Sequence, residues 1–132
     1  DNGDDFAPAN LMLVPGTNLI ITGSKDGSVY VLDKNNLGQF HADSNYVHQS
    51  TNIGIKAKQH ATYSFYTGEN KEYAYVWSEW DLLKSIPFNR AQNKFLLDSM
   101  TNAKILTPTG NSGGMLALSS NGSNDATAIV WE

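Results

Sequence analysis

A chain of 132 residues with a formal net charge of −4, 40% hydrophobic and 17% charged, has the length and composition of one ordinary globular domain. Its nine basic residues are thinly spread and build no positive footprint for a phosphate backbone, which argues against nucleic acid as a partner. No apolar run approaches the roughly 20 residues of a membrane-spanning helix, and the absence of cysteine excludes disulfides, thiolate chemistry and cysteine-bound zinc. No signal peptide or lipidation motif is visible, and the Asn/Ser/Thr/Gly/Tyr-rich composition points to an exported or cell-surface protein of bacterial type.

The opening Asp1-Asn2-Gly3-Asp4-Asp5 reads as a solvated acidic connector. Its carboxylate spacing is wrong for a calcium loop, and no Glu stands at the twelfth position. Leu11 to Val14 is the first expected strand, Pro15-Gly16-Thr17-Asn18 a turn, and 18–23 the second strand. Lys25-Asp26-Gly27 then carries turn chemistry, and 28–33 resumes with β-branched and aromatic residues, which makes a β-hairpin. Leu37 to Phe40 is expected to return as a short edge strand.

A second unit follows at a lag of 45 residues, with Tyr30 falling on Tyr75. In it 61–67 and 72–78 flank the turn Gly68-Glu69-Asn70-Lys71, and 82–88 is the outer return strand, where Pro87 is tolerable on an edge. A third copy consists of 114–120, the turn Asn121-Gly122-Ser123-Asn124-Asp125, and 126–131, with Ile129 falling on Tyr75 at a lag of 54. No segment keeps helical periodicity over the roughly 11 residues that a helix requires. The expected fold is therefore all-β, an open arc of about three antiparallel four-stranded β-propeller blades within residues 1–132: about 5–40, about 45–90, and an incomplete 93–132.

The residues carry a resemblance. PGTNLIITGSKDGSVYVLDKNNLGQF (15–40), YAYVWSEWDLLKSIPF (73–88) and SGGMLALSSNGSNDATAIVWE (112–132) are similar to the quinoprotein-type propellers, the pyrroloquinoline-quinone-like repeat family. There "GGKDG", "lYvLD" and "nlG" occur in series, and a later blade reads "pGGmLslSaNG…gIVWa". The resemblance implies a propeller. The cysteine pair that caps the quinone in many dehydrogenases of that family is impossible in this chain, and no Glu/Asn/Asp calcium constellation matches, so no cofactor is expected in this segment.

Among chemistry-bearing residues, His41, His48 and His60 match no zinc-ligand spacing and read as loop or rim histidines. Alternation in the strands assigns Val29, Val31, Tyr73, Tyr75, Trp77, Ile129 and Trp131 to the core, since aromatics pack blades together. Trp80, in the turn after 72–78, is the exposed aromatic best placed for a ligand or partner contact. Glu79 and Asp81 flank it as a pair of carboxylates able to share a face, a geometry that supports acid/base chemistry when one pKa is raised. Asp26, Asp33 and Asp125 sit in turns, where Asx hydrogen bonds account for them. Asn121-Gly122-Ser123 forms a glycosylation-type sequon at Asn121. No nucleophile elbow, phosphate loop or zincin motif is present.

The expected function is a non-catalytic propeller scaffold of an exported protein, for surface display, adhesion or assembly. The alternatives are a fragment of a quinone-dependent dehydrogenase whose site lies in other blades, and a carbohydrate-binding module using Trp80. The run at Ile129 to Glu132 reads as a strand cut short, so the chain is expected to belong to a longer polypeptide. Further blades of that polypeptide, or identical chains, are expected to cover the open blade faces.

Overall fold

Apolar residues alternating over five or six positions, punctuated by Gly and Asn/Asp, favour extended strands with tight reversals, and the chain folds that way. A computed structural model describes residues 10–39, 41–43, 46–53, 62–108 and 113–132. Their eleven strands are β1 (Met12–Leu13), β2 (Leu19–Gly23), β3 (Ser28–Asp33), β4 (Gln49–Asn52), β5 (Tyr63–Thr67), β6 (Glu72–Val76), β7 (Leu82–Asn89), β8 (Lys94–Phe95), β9 (Thr101–Leu106), β10 (Ala117–Ser119) and β11 (Ile129–Trp131). Every pairing is antiparallel. The described residues contain no α-helix, only short 3-10 turns at Leu97–Ser99 and Asp125–Thr127.

The first sheet is a meander in the order β1-β2-β3-β4. Its central hairpin closes with Ser24 N–H donating to Ser28 O at 3.0 Å, and Gly27 takes the left-handed backbone the loop requires at φ 86°. Asp26 Oδ1 accepts Ser28 N–H at 2.8 Å, and Asp33 Oδ1 accepts Asn35 N–H at 2.9 Å, the Asx turns expected of both. The fourth strand comes from Gln49–Asn52 and not from 37–40. Gly38 and Gln39 both hold positive φ, 76° and 57°, which extended backbone excludes; Phe40 lies outside the described residues.

The second sheet runs β5-β6-β7, and the outer edge of β7 is shared: β9 pairs with its first half and β8 with its end. The sequence expectation of 82–88 as an outer strand is thus corrected, since β7 is flanked on both sides. Pro87 O accepts Leu96 N–H at 2.8 Å, so the proline nitrogen faces the same outer edge, at the break between β9 and β8 where no donor is needed.

The lag of 45 is corrected as well. It sets β6 against β3, but β6 is second in its sheet and β3 third. By position β1, β5 and β10 correspond, as do β2, β6 and β11. The turns after the first strands open near residues 15, 68 and 121.

The two sheets meet face to face over one apolar core that joins Leu19, Ile21, Val29 and Val31 to Ala74, Val76, Ile86 and Phe95. Phe65 packs edge-on against Phe88 and Phe95, with ring centroids 5.8 and 6.2 Å apart. Val29, Val31 and Trp77 are buried as expected, but Tyr73 and Tyr75 are only half-buried because Ala74 and Val76 take the inward parity of β6. Ile129 and Trp131 are exposed, with Leu118 and Val130 on the opposite face of their hairpin. The strand expected over 126–131 starts only at Ile129, because Asn124 Oδ1 accepts Ala126 N–H and caps a 3-10 turn before it.

The β10–β11 hairpin lies on the other face of the second sheet, carried by Ser64 and Tyr66. Ser64 Oγ donates to Leu116 O at 3.1 Å, and Leu116 N–H donates to Thr62 Oγ1 at 2.7 Å. Tyr66 OH donates to Asp125 Oδ1 at 3.0 Å, whose Oδ2 accepts Asn70 N–H at 3.1 Å. Asp125 therefore serves a neighbouring layer as well as its own turn. A Cβ at Gly68 would overlap the Asp125 carboxylate, and one at Gly114 would overlap the Trp77 ring, so both glycines are places of close approach.

Candidate functional site

The turn that joins β6 to β7 gathers Trp77, Glu79, Trp80, Asp81 and Lys84. Trp80 is 56% exposed and adopts φ 57°, a left-handed conformation unfavourable for a bulky side chain. The surrounding bonds hold it there. Trp77 Nε1–H donates to Asp81 O at 3.0 Å, Thr107 N–H donates to the same oxygen at 3.0 Å, and Asp81 N–H donates to Thr107 Oγ1 at 3.3 Å. Gly114 N–H donates to Trp77 O at 2.8 Å and ties the turn to the third layer.

The same turn buries side chains of a kind that folding ordinarily leaves in water. Glu79 is 3% exposed, and its Oε1 accepts Trp80 Nε1–H at 3.0 Å, which fixes the orientation of the ring. Lys84 is 6% exposed on the inward face of β7, and its Nζ lies 2.7 Å from both carboxylate oxygens of Asp81. Burying this pair is tolerated because both charges are matched and hydrogen-bonded; such a pair contributes little net stability compared with apolar residues of the same shape. The two carboxylates singled out in the sequence are thus near each other in the chain but engaged separately, Glu79 by the indole and Asp81 by the ammonium. The arrangement presents one oriented aromatic face to solvent.

Lys84 and Thr107 escaped the sequence reading. Lys84 stands in an alternating strand at a position an apolar residue would normally fill, and that mismatch was its only signal. Among the histidines, His41 packs at a tilt against Tyr46 with ring centroids 4.7 Å apart, and His48 Nε2 lies 3.3 Å from Asn93 O; His60 and the acidic opening lie outside the described residues. Among the described residues no three His, Cys, Asp or Glu side chains group as metal ligands, and no helix is long and apolar enough to cross a membrane. Asn121 is exposed at the tip of the third-layer turn, beside Gly122 at φ 60°.

Burial perturbs three phenols. It pushes Tyr63 well above its ordinary value and raises Tyr75, with Tyr73 adding a smaller part. It also raises Tyr66, helped by the hydrogen bond to Asp125 and that carboxylate's charge. Tyr63 and Tyr66 lie away from the Trp80 turn in sequence, whereas Tyr75 stands in β6, just before Trp77. No family model matches the chain, and no curated protein matches it.

Proposed function

We propose that this chain is a run of β-propeller-type repeat blades serving as a non-catalytic scaffold, of the kind its resemblance to quinoprotein-type propellers implies. One observation carries the reading. The starts of three successive units are hydrogen-bonded in chain order at nearly constant spacing: Tyr63 N–H to Asn10 Oδ1 across 53 residues, Ser64 Oγ to Leu116 O across 52, and Leu116 N–H to Thr62 Oγ1 across 54. Repeating supersecondary units that bury a face only against their neighbours behave in this manner. In this reading the first blade occupies 12–52, the second 63–106, and the third opens at 117–131.

The exposed Leu11 and Leu13 at one end, and Met115, Ile129 and Trp131 at the other, are then the faces on which further blades of the same polypeptide stack. The setting is the cell exterior, in keeping with the charge-poor composition. Pyrroloquinoline quinone and calcium added to the protein are expected to give no cofactor absorbance and no dye-linked alcohol oxidation. A bound quinone spectrum would sink the non-catalytic reading.

A second reading has its own support in the oriented, exposed indole of Trp80. Such a ring offers a flat apolar face to a pyranose, and the backbone strain at that position favours a functional role over a packing one. A glycan array probed with the protein and with Trp80→Ala tests it: binding lost in the variant supports a carbohydrate contact, and binding absent from both proteins removes it.

A further inference from the structure

Among the described residues, two turns set a glycine directly after Asp or Asn, and they treat the pair in opposite ways. At Asp26-Gly27 the two groups that could react are both held: Gly27 N–H donates to Ser24 O at 3.1 Å, and the Asp26 carboxylate accepts Ser28 N–H at 2.8 Å. At Asn121-Gly122 neither is. Asn121 bonds through its backbone, its N–H donating to Thr127 Oγ1 at 3.0 Å and its carbonyl accepting Asn124 N–H at 3.3 Å, while Gly122 O accepts the Ser120 hydroxyl at 2.7 Å. The Asn121 carboxamide and the Gly122 N–H have no hydrogen-bond partner among the described residues. Both residues are exposed, Gly122 takes φ 60°, and nothing lies within 4 Å of where its Cβ would stand.

We propose that Asn121 is a spontaneous modification site, where the side chain closes on the Gly122 nitrogen to a succinimide that opens to aspartate and isoaspartate and loosens the β10–β11 hairpin. In the first step the Gly122 nitrogen gives up its proton and bonds to Asn121 Cγ. The Cγ–Nδ2 bond breaks, and the departing nitrogen takes up a proton and leaves as ammonia. One water then opens the ring. Cleavage between Cγ and the ring nitrogen leaves ordinary aspartate; cleavage between the main-chain carbonyl carbon and that nitrogen reroutes the chain through Cγ as isoaspartate. No oxidant or reductant is consumed, and glycine opposes the closure least because it has no side chain beside the attacking nitrogen.

Either product adds a negative charge to the turn, and isoaspartate also inserts a carbon into the backbone. The contacts that hold the hairpin to the second sheet lie just downstream: Ser123 O accepts Glu69 N–H at 2.8 Å, and the Asp125 carboxylate accepts Tyr66 OH and Asn70 N–H. Conversion also deletes the acceptor of the Asn121 sequon. The inference needs only this turn and its contacts, and is independent of the propeller reading.

The test is to age the 132-residue chain in warm, mildly alkaline buffer and map masses in its 105–132 tryptic peptide, which leaves Asn2-Gly3 in another fragment. Asn121 is expected to lose its amide at least about tenfold faster than Asn124, which precedes Asp125 and whose Oδ1 accepts Ala126 N–H at 3.0 Å. Amides of 117–119 and 129–131 are expected to exchange roughly tenfold faster in the aged chain, with β2 and β3 unchanged. Asn121→Gln, whose longer side chain would have to close a larger ring, is expected to keep its mass and its protection when aged in parallel. A free peptide of residues 117–127 sets the clock. An Asn121 amide intact in the folded chain once that peptide has converted overturns the proposal, as does conversion that leaves hairpin exchange unchanged, or equal loss of protection in Asn121→Gln.

Discussion

The second sheet uses its two faces in opposite ways. Towards the first sheet it offers Phe65, Ala74, Val76, Ile86 and Phe95, a mainly apolar surface; towards the β10–β11 hairpin it offers the hydroxyls of Thr62, Ser64 and Tyr66. The difference follows from what each partner can bury. A four-stranded meander removes enough apolar area from water to hold itself by the hydrophobic effect, whereas two strands of three residues each do not, and directional bonds fix the hairpin instead. The layers thus stack in one order through two chemistries, one strong and unspecific, the other weaker and exact in register.

Breaking the apolar interface should have the largest effect. Phe95→Ala removes a fully buried ring that packs 4.9 Å from Phe88, and about 3–5 kcal/mol of global stability should go with it, read by urea denaturation. The polar interface should fail locally. Gly68→Ala drives a methyl into Asp125 and Tyr66 and should release the hairpin at a cost of about 1–3 kcal/mol, seen as faster exchange in 117–119 and 129–131 while β2 and β3 stay protected. Equal acceleration in both regions would refute the division between the two interfaces.

Alkali should weaken both sides of the second sheet. Tyr63, on the apolar side, and Tyr66 and Tyr75, on the hairpin side, all have phenols raised above the ordinary 10.0. A raised phenol loses its proton more readily in the unfolded chain, so its contribution is fully present below pH 10.0 and is lost as pH climbs from there through the folded value. Thermal midpoints should fall from that pH upward, and Tyr63→Phe should flatten the fall. The smallest effect belongs to Trp80, whose side chain is exposed to solvent. Trp80→Gly should shift stability by less than about 1 kcal/mol, because relief at φ 57° offsets the lost bond to Glu79.

The all-β class, the Asp26-Gly27 hairpin and the exposure of Trp80 were legible in the sequence because turn chemistry and strand alternation are local signals. Three features were not. β4 is the polar run Gln49–Asn52, whose place is fixed by the Gln49 side chain bonding both Phe95 N–H and Phe95 O, a contact across 46 residues that no local pattern announces. The inward parity of β6 went to its small residues, because two tyrosines facing the crowded first sheet would have overfilled a core already holding Phe65, Phe88 and Phe95. In the Trp80 turn the aromatic and the two carboxylates were visible, but their partners Lys84 and Thr107 were not, since the apolar-parity position of Lys84 in its strand names no counter-ion and Thr107 is distant in the chain.

The central claim is that three units stack in chain order through contacts repeated about every 53 residues. Nuclear Overhauser contacts measured on one sample test it most directly. The account predicts a contact from Tyr63 to Asn10, and others from Leu116 to Thr62 and Ser64, all in the same molecule. A spectrum in which Leu116 contacts neither Thr62 nor Ser64, while β10 and β11 remain paired, would contradict it.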